Sequence, residues 1–188
     1  MTASAIVIGA SAGGVQALSR ILPALRADFA SPVIIVVHVP PRKDNALVDL
    51  FARKCILTVK EAEDKEPLVA GTIYFAPPDY HLLVEADRTL ALSSEETVNH
   101  SRPAIDVLFE TAADAFGPAL IGIILTGANH DGAQGLKAVG AAGGTAIAED
   151  PAMAEVATMP AAALSACPSA RAMSLDQIIT FLQEPSTS

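Results

Sequence analysis

The chain reads as a doubly wound α/β domain with a mainly parallel sheet, a Rossmann-like three-layer sandwich carrying a short antiparallel β-meander insertion. Three observations carry that expectation. Short runs of branched apolar residues alternate with longer stretches whose apolar residues recur every three or four positions. Val33-Ile34-Ile35-Val36-Val37 is apolar on both faces, as strands inside a parallel sheet are. The links between these units are short, which favours right-handed crossovers between neighbouring strands.

Taken in order, Ala5 to Ile8 is the first strand, ended by Gly9. Val15 to Leu25 is a helix, with Val15, Leu18, Leu22 and Leu25 on one face. The run ending at Val37 is the second strand. Asn45 to Lys54 is helical, and Leu57 to Lys60 is a short strand. Gly71 to Ala76, Leu82 to Glu85 and Thr89 to Leu92, parted by Pro77-Pro78-Asp79 and Ala86-Asp87-Arg88, form the expected meander. Ser101-Arg102-Pro103 opens a helix with proline near its first position, and Ile105, Leu108, Phe109 and Ala112 make its apolar face. Leu120 to Leu125 is a buried strand, Asp131 to Ala142 a helix and Thr145 to Ala148 another strand. Helices around Pro160 to Ser165 and Leu175 to Leu182 complete the pattern. The 188 residues suit one domain, taken as 1–184, with a flexible polar tail at 185–188.

Composition narrows the partners. A net charge of −9 speaks against nucleic acid, since phosphate binding needs clustered Lys and Arg. Aromatics are only 4% and alanines number 36, so the core is built from small and branched residues. No apolar run approaches the ~20 residues of a membrane span, and the first ten residues lack the basic start of a secretory signal. The expected location is the cytoplasm. Cys55 and Cys167 stand apart without CxxC spacing and are read as buried thiols.

The first turn, Gly9-Ala10-Ser11-Ala12-Gly13-Gly14, admits three readings. Ser11 could simply cap the helix that follows. A dinucleotide loop is weakened because glycine is required where Ser11 stands, and His38 rather than an acid follows the second strand. The third reading is a nucleophile turn, G-x-S-x-G, with following N–H groups aimed at a developing oxyanion. Such a serine needs a base, and His38 lies just where the second strand runs out. It also needs a carboxylate to hold the imidazole. Asp131, in Thr126-Gly127-Ala128-Asn129-His130-Asp131-Gly132, follows another buried strand, although it could be only a helix cap. All three stand at carboxyl ends of strands, where open α/β sheets bind ligands. Asp150 is a reserve; Asp79 and Asp106 fit less well. His81, His100 and His130 lack the spacing of metal ligands and are read as surface or supporting residues, so neither metal nor cofactor is expected.

Gly9 to Gly14, Val37-His38-Val39-Pro40, Ala76-Pro77-Pro78-Asp79-Tyr80-His81-Leu82, Ser101-Arg102-Pro103 through Phe109, and Leu125-Thr126-Gly127 through Ala133 form five ordered blocks. Together they resemble the CheB-type protein-glutamate methylesterases, from about residue 4 to about residue 170. The resemblance implies a catalytic domain that hydrolyses γ-methyl esters of glutamates on the cytoplasmic helical region of methyl-accepting receptors, releasing methanol. Many members also deamidate glutamines. It places the nucleophile on Ser11, the histidine on His38 and the aspartate on Asp131, in an order unlike the Ser, Asp, His of α/β-hydrolases. Backbone N–H groups of Ala12 and Ala128 are candidates for the oxyanion hole.

Three departures stand out. Ala12 replaces the usual threonine, and Ala128-Asn129-His130 replaces a more glycine- and methionine-containing run. The receiver domain usual in the family is not among these residues, which implies a standalone catalytic domain. A non-catalytic or differently specific signalling module on the same fold is the alternative.

Overall fold

The computed structural model describes residues 5–39 and 46–184; the expected tail at 185–188, and Asn45 at the start of the second expected helix, lie outside them. The elements are β1 (Ala5–Ala10), α1 (Gly14–Ile21), β2 (Val33–Val37), α2 (Ala46–Lys54), β3 (Thr58–Glu61), β4 (Thr72–Phe75), β5 (His81–Val84) and β6 (Leu90–Ser93). They continue with α3 (Ile105–Phe116), β7 (Leu120–Ile124), α4 (Ala133–Ala141), β8 (Thr145–Glu149), α5 (Thr158–Ala166), β9 (Arg171–Met173) and α6 (Leu175–Gln183). Seven strands form one parallel sheet in the order β3-β4-β2-β1-β7-β8-β9, and β5 and β6 form a separate antiparallel pair.

Strand periodicity divides the core in two. Ala5 and Val7 of β1 point into one apolar layer, while Ile6, Ile8 and Ala10 point into the other. The first layer packs on α3, α4 and α5, and the second on α1, α2 and α6. Each Val, Ile or Leu side chain buried this way contributes about 1.5–3 kcal/mol, so both faces hold β1, β2 and β7 firmly. Gly9 lets α3 approach: a Cβ there would stand 2.4 Å from Ile105 Cγ2.

The structure departs from the expectations in several places. Thr72–Phe75 joins the parallel sheet between β3 and β2, so the meander reduces to the β5–β6 hairpin, packed beside α3. All four of its residues are buried, a pattern that fits an inner parallel strand better than a two-sided meander. Helix α1 ends at Ile21 and passes into a 3₁₀ turn, Leu22–Ala24, because Pro23 has no N–H to continue the ladder. Pro103 lies before α3, in a cis Arg102–Pro103 peptide, and the helix begins at Ile105. Helix α4 begins at Ala133, two residues after Asp131. Cys55 is only partly buried, although burial still pushes its thiol up. Among the described residues, no helix is long and apolar enough to cross a membrane.

Candidate active site

The chain departs from β1 toward β2 on one side and returns as β7 on the other, so β1 and β7 flank the point where the winding reverses. Loops diverging at such a point leave a crevice at the carboxyl ends of the strands. The backbone ladder extends past the strand ends there. His38 N–H donates to Ala10 O at 3.0 Å, and Ser11 N–H donates to Thr126 O at 3.0 Å. Since Ala10 pairs with Val37, Ser11 and His38 follow on adjacent strands, which lie about 4.8 Å apart.

His38 and Asp131 come into direct contact. His38 Nε2 is 2.9 Å from Asp131 Oδ2; the imidazole side chain is 13% exposed and the carboxylate fully covered. The carboxylate oxygen lies off the N–H axis, so the contact is an electrostatic pair at hydrogen-bond distance rather than an aligned bond. Asp131 Oδ2 also accepts from Ile105 N–H at 2.6 Å, and Oδ1 accepts from Asp106 N–H at 3.1 Å. Those are the first N–H groups of α3. Asp131 therefore caps a helix, but not the one it precedes.

Asp106 returns the contact. Its Oδ1 accepts from Gly132 N–H at 3.0 Å and Gly135 N–H at 2.7 Å, at the start of α4. The two helices thus exchange carboxylates at their N-termini, where the helix dipole favours negative charge. Asn99 joins the pair: its Nδ2 donates to Asp106 Oδ2 and to Asp131 Oδ1, both at 2.8 Å. Asn99 reaches this point from a two-residue turn, Asn99-His100, with φ of 53° and 61°, closed by hydrogen bonds between Val98 and Ser101.

The segment carrying Asn99 is tied at both ends. Arg102 donates to Asp79 Oδ1 and to the carbonyls of Ser94 and Glu95. His81, expected at the surface or beside the site, is buried; its Nδ1 accepts from Ala104 N–H at 3.2 Å and its Nε2 meets Glu96 O at 2.8 Å. With Nδ1 accepting, Nε2 is the donor, so His81 is a neutral brace. His100 and His130 are exposed. Asp150 accepts from Ala152 N–H at 2.9 Å and shapes the loop after β8.

Burial raises the Asp131 carboxyl, but the His38 imidazole beside it and hydrogen bonds from Ile105 N–H, Asn99 and Asp106 N–H outweigh that and hold the group below the ordinary carboxylate range. Burial raises Asp106 too, and there the donors Gly135, Asn99 and Gly132 do not overcome it, with the Asp131 charge adding to the rise.

Thr126 braces the serine turn. Its Oγ1 donates to Ala12 O at 2.9 Å and accepts from Val156 N–H at 2.8 Å, while its N–H donates to buried Glu149 at 2.8 Å. Ser11 N–H is engaged at Thr126 O, whereas the N–H groups of Ala12 and Ala128 form no hydrogen bond among the described residues. Gly13, in the left-handed region at φ 79°, lets the turn enter α1.

Sequence reasoning singled out Ser11, His38 and Asp131, and passed over Asn99, Thr126 and Asn129 while demoting Asp106. One signal was available: Asp106 sits beside the apolar stripe of Ile105, Leu108, Phe109 and Ala112, where an unpaired carboxylate would be costly.

The chain is similar to known proteins along nearly its whole length. The family model for CheB methylesterase matches residues 6–182. A protein of Leptospira interrogans serovar copenhageni named "Putative protein-glutamate methylesterase/protein-glutamine glutaminase" is 49% identical over 178 residues, 95% of this chain and 92% of that protein. Protein-glutamate methylesterase/protein-glutamine glutaminase 2 of Caulobacter vibrioides is 38% identical over 182 residues, and there the chain spans 52% of the relative's length. The crystal structure of the Thermotoga maritima CheB methylesterase catalytic domain superposes with a TM-score of 0.89 at 34% identity, covering 97% of this chain and 98% of that one. A family model that spans residues 6–182, together with a fold shared along nearly the whole chain, leaves one conclusion: the chain belongs to the CheB methylesterase family.

Proposed function

We propose that this protein is a serine hydrolase, a protein-glutamate methylesterase in which Ser11 is the nucleophile, His38 the general base and Asp131 the group that holds the imidazole. Its substrates are γ-methyl esters of glutamates on the cytoplasmic helical region of methyl-accepting receptors, and glutamine side chains are a second target. The contact between His38 and Asp131, with Ser11 on the adjoining strand end, carries this reading.

In the first step Ser11 Oγ attacks the ester carbonyl while its proton passes to His38. The carbonyl oxygen becomes an oxyanion, with the N–H groups of Ala12 and Ala128 as donors; Ser11 N–H is already committed to Thr126. The intermediate collapses, the C–O bond to the methoxy group breaks, and His38 returns the proton to release methanol. Water then attacks the acyl-enzyme with the same base, freeing the glutamate carboxylate and Ser11. An amide substrate follows the same path with ammonia leaving. Asp131 stabilises the imidazolium formed in both steps, and its low protonation threshold keeps it charged throughout.

Ser11→Ala is the direct test, read by methanol release from a methylated receptor fragment. A loss of about 10³-fold or more is expected, together with loss of fluorophosphonate labelling. Demethylation at the wild-type rate would overturn the assignment, and an unlabelled wild-type protein would favour a non-catalytic signalling module.

A further inference from the structure

The loop between β7 and α4 holds the His38 ring at both nitrogens. Asp131 Oδ2 stands at Nε2, and Asn129 Nδ2 lies 3.3 Å from Nδ1. The Asn129 amide is oriented by its other end, because Oδ1 accepts from Asp131 N–H at 3.0 Å. With the oxygen committed, the NH2 group faces the ring. An amide NH2 only donates, so Nδ1 is the acceptor and the ring proton sits on Nε2, toward the carboxylate.

That tautomer leaves the basic lone pair on Nδ1, the atom that must take the Ser11 proton. The Asn129 amide and the Ser11 hydroxyl therefore compete for one lone pair. We propose that Asn129 is a positioning residue that latches the imidazole: it holds the Nε2–H tautomer and yields Nδ1 to Ser11 Oγ before proton transfer. The inference rests on His38 being the base of the proposed hydrolysis. Asn129 belongs to Gly127-Ala128-Asn129-His130-Asp131, so the same short loop supplies both the amide and the carboxylate that meet the ring.

The test uses the full chain and three substitutions, Asn129→Ala, Asn129→Gly and Asn129→Asp. The last keeps an oxygen for Asp131 N–H and removes the donor. Ring ¹⁵N spectra of neutral His38 read the latch directly. The wild-type spectrum should show a hydrogen-bonded Nδ1 and a protonated Nε2. In the alanine and glycine variants, read on a Ser11→Ala background so that no hydroxyl takes the vacated lone pair, Nδ1 should move to the position of a free imidazole nitrogen, and in the aspartate variant the carboxylate oxygen facing Nδ1 should draw a ring proton onto it. In the alanine and glycine variants, kcat/KM for methylated receptor and the rate of Ser11 labelling by a fluorophosphonate should rise together by about two- to tenfold, the reach of one neutral hydrogen bond. A wild-type Nδ1 that is already free, a signal unmoved in the variants, or a fall in both rates would overturn the proposal. If the alanine and glycine variants fail to fold, the wild-type and aspartate spectra still decide it. Absence of labelling in the wild type defeats the hydrolase reading, whereas the ring spectrum judges the latch separately.

Discussion

Helices α3 and α4 start with the same device used twice. The first N–H groups of α3 go to Asp131, in the loop leading into α4, those at the start of α4 go to Asp106 on α3, and Asn99 donates to both acids. The difference is one contact. Asp131 also faces His38, and its carboxyl is held below the usual range; Asp106 has no imidazole, and burial pushes it up. A helix cap and a supporting carboxylate for a base are thus the same object in two settings. What separates them is a cation-forming neighbour, not the number of backbone donors.

Three substitutions or titrations press on that comparison. The largest effect belongs to Asp131→Asn. It keeps an oxygen for one of the two α3 N–H groups but cannot stabilise imidazolium, so kcat should fall by about 10⁴-fold while the far-UV spectrum is retained. Receptor demethylation by the purified variant measures this, and a loss under tenfold would make Asp131 a cap and nothing more.

Next is Asp106→Ala, which leaves Gly132 N–H and Gly135 N–H without their acceptor and the Asn99 amide with Asp131 alone. Stability should drop by about 2–4 kcal/mol, read by urea unfolding, with kcat per folded molecule changed by less than about tenfold. If activity collapses as in Asp131→Asn, the two carboxylates are one functional unit and the contrast fails.

The smallest effect is in the pH dependence of stability. Asp131 is depressed in the fold, so its contribution is present above the unfolded value near 3.8 and is lost as pH falls through its lower folded value. Asp106 is raised, so the fold prefers its neutral form, and stability is lost as pH rises above 3.8 through its higher folded value. Asp106→Asn should flatten the second slope and leave the first in place. Unfolding free energies at a series of pH values would show it, and equal flattening of both slopes would contradict the opposed shifts.

Much of this was legible from residue order. β1, β2 and β7 announce themselves as branched runs apolar on both faces, and each places one of Ser11, His38 and Asp131 at its carboxyl end. β9 is invisible by the same logic, because Arg171-Ala172-Met173 is a short, exposed edge strand held by pairing with β8 alone. β4 was misplaced because Thr72-Ile73-Tyr74-Phe75 carries no mark of which neighbours it pairs with. Asn99 lies 32 residues from one of its partners, so only the folded hairpin tip brings its amide between the two acids. Asn129 is near its partner Asp131 in sequence, but its other partner, His38, is across the crevice.

The exchange of carboxylates also makes this site difficult to assemble in pieces. A segment ending before β7 would contain Ser11, His38 and all of α3, yet α3 would start without its cap. A segment beginning at β7 would hold Asp131 with no helix to receive it. Native docking of α3 against α4 and placement of the carboxylate beside His38 are therefore a single event. The amide protons of Ile105 and Asp106, both bonded to Asp131, report on that event from outside the chemistry. Their exchange with solvent measures how often the site comes apart, even in a variant with no serine to react.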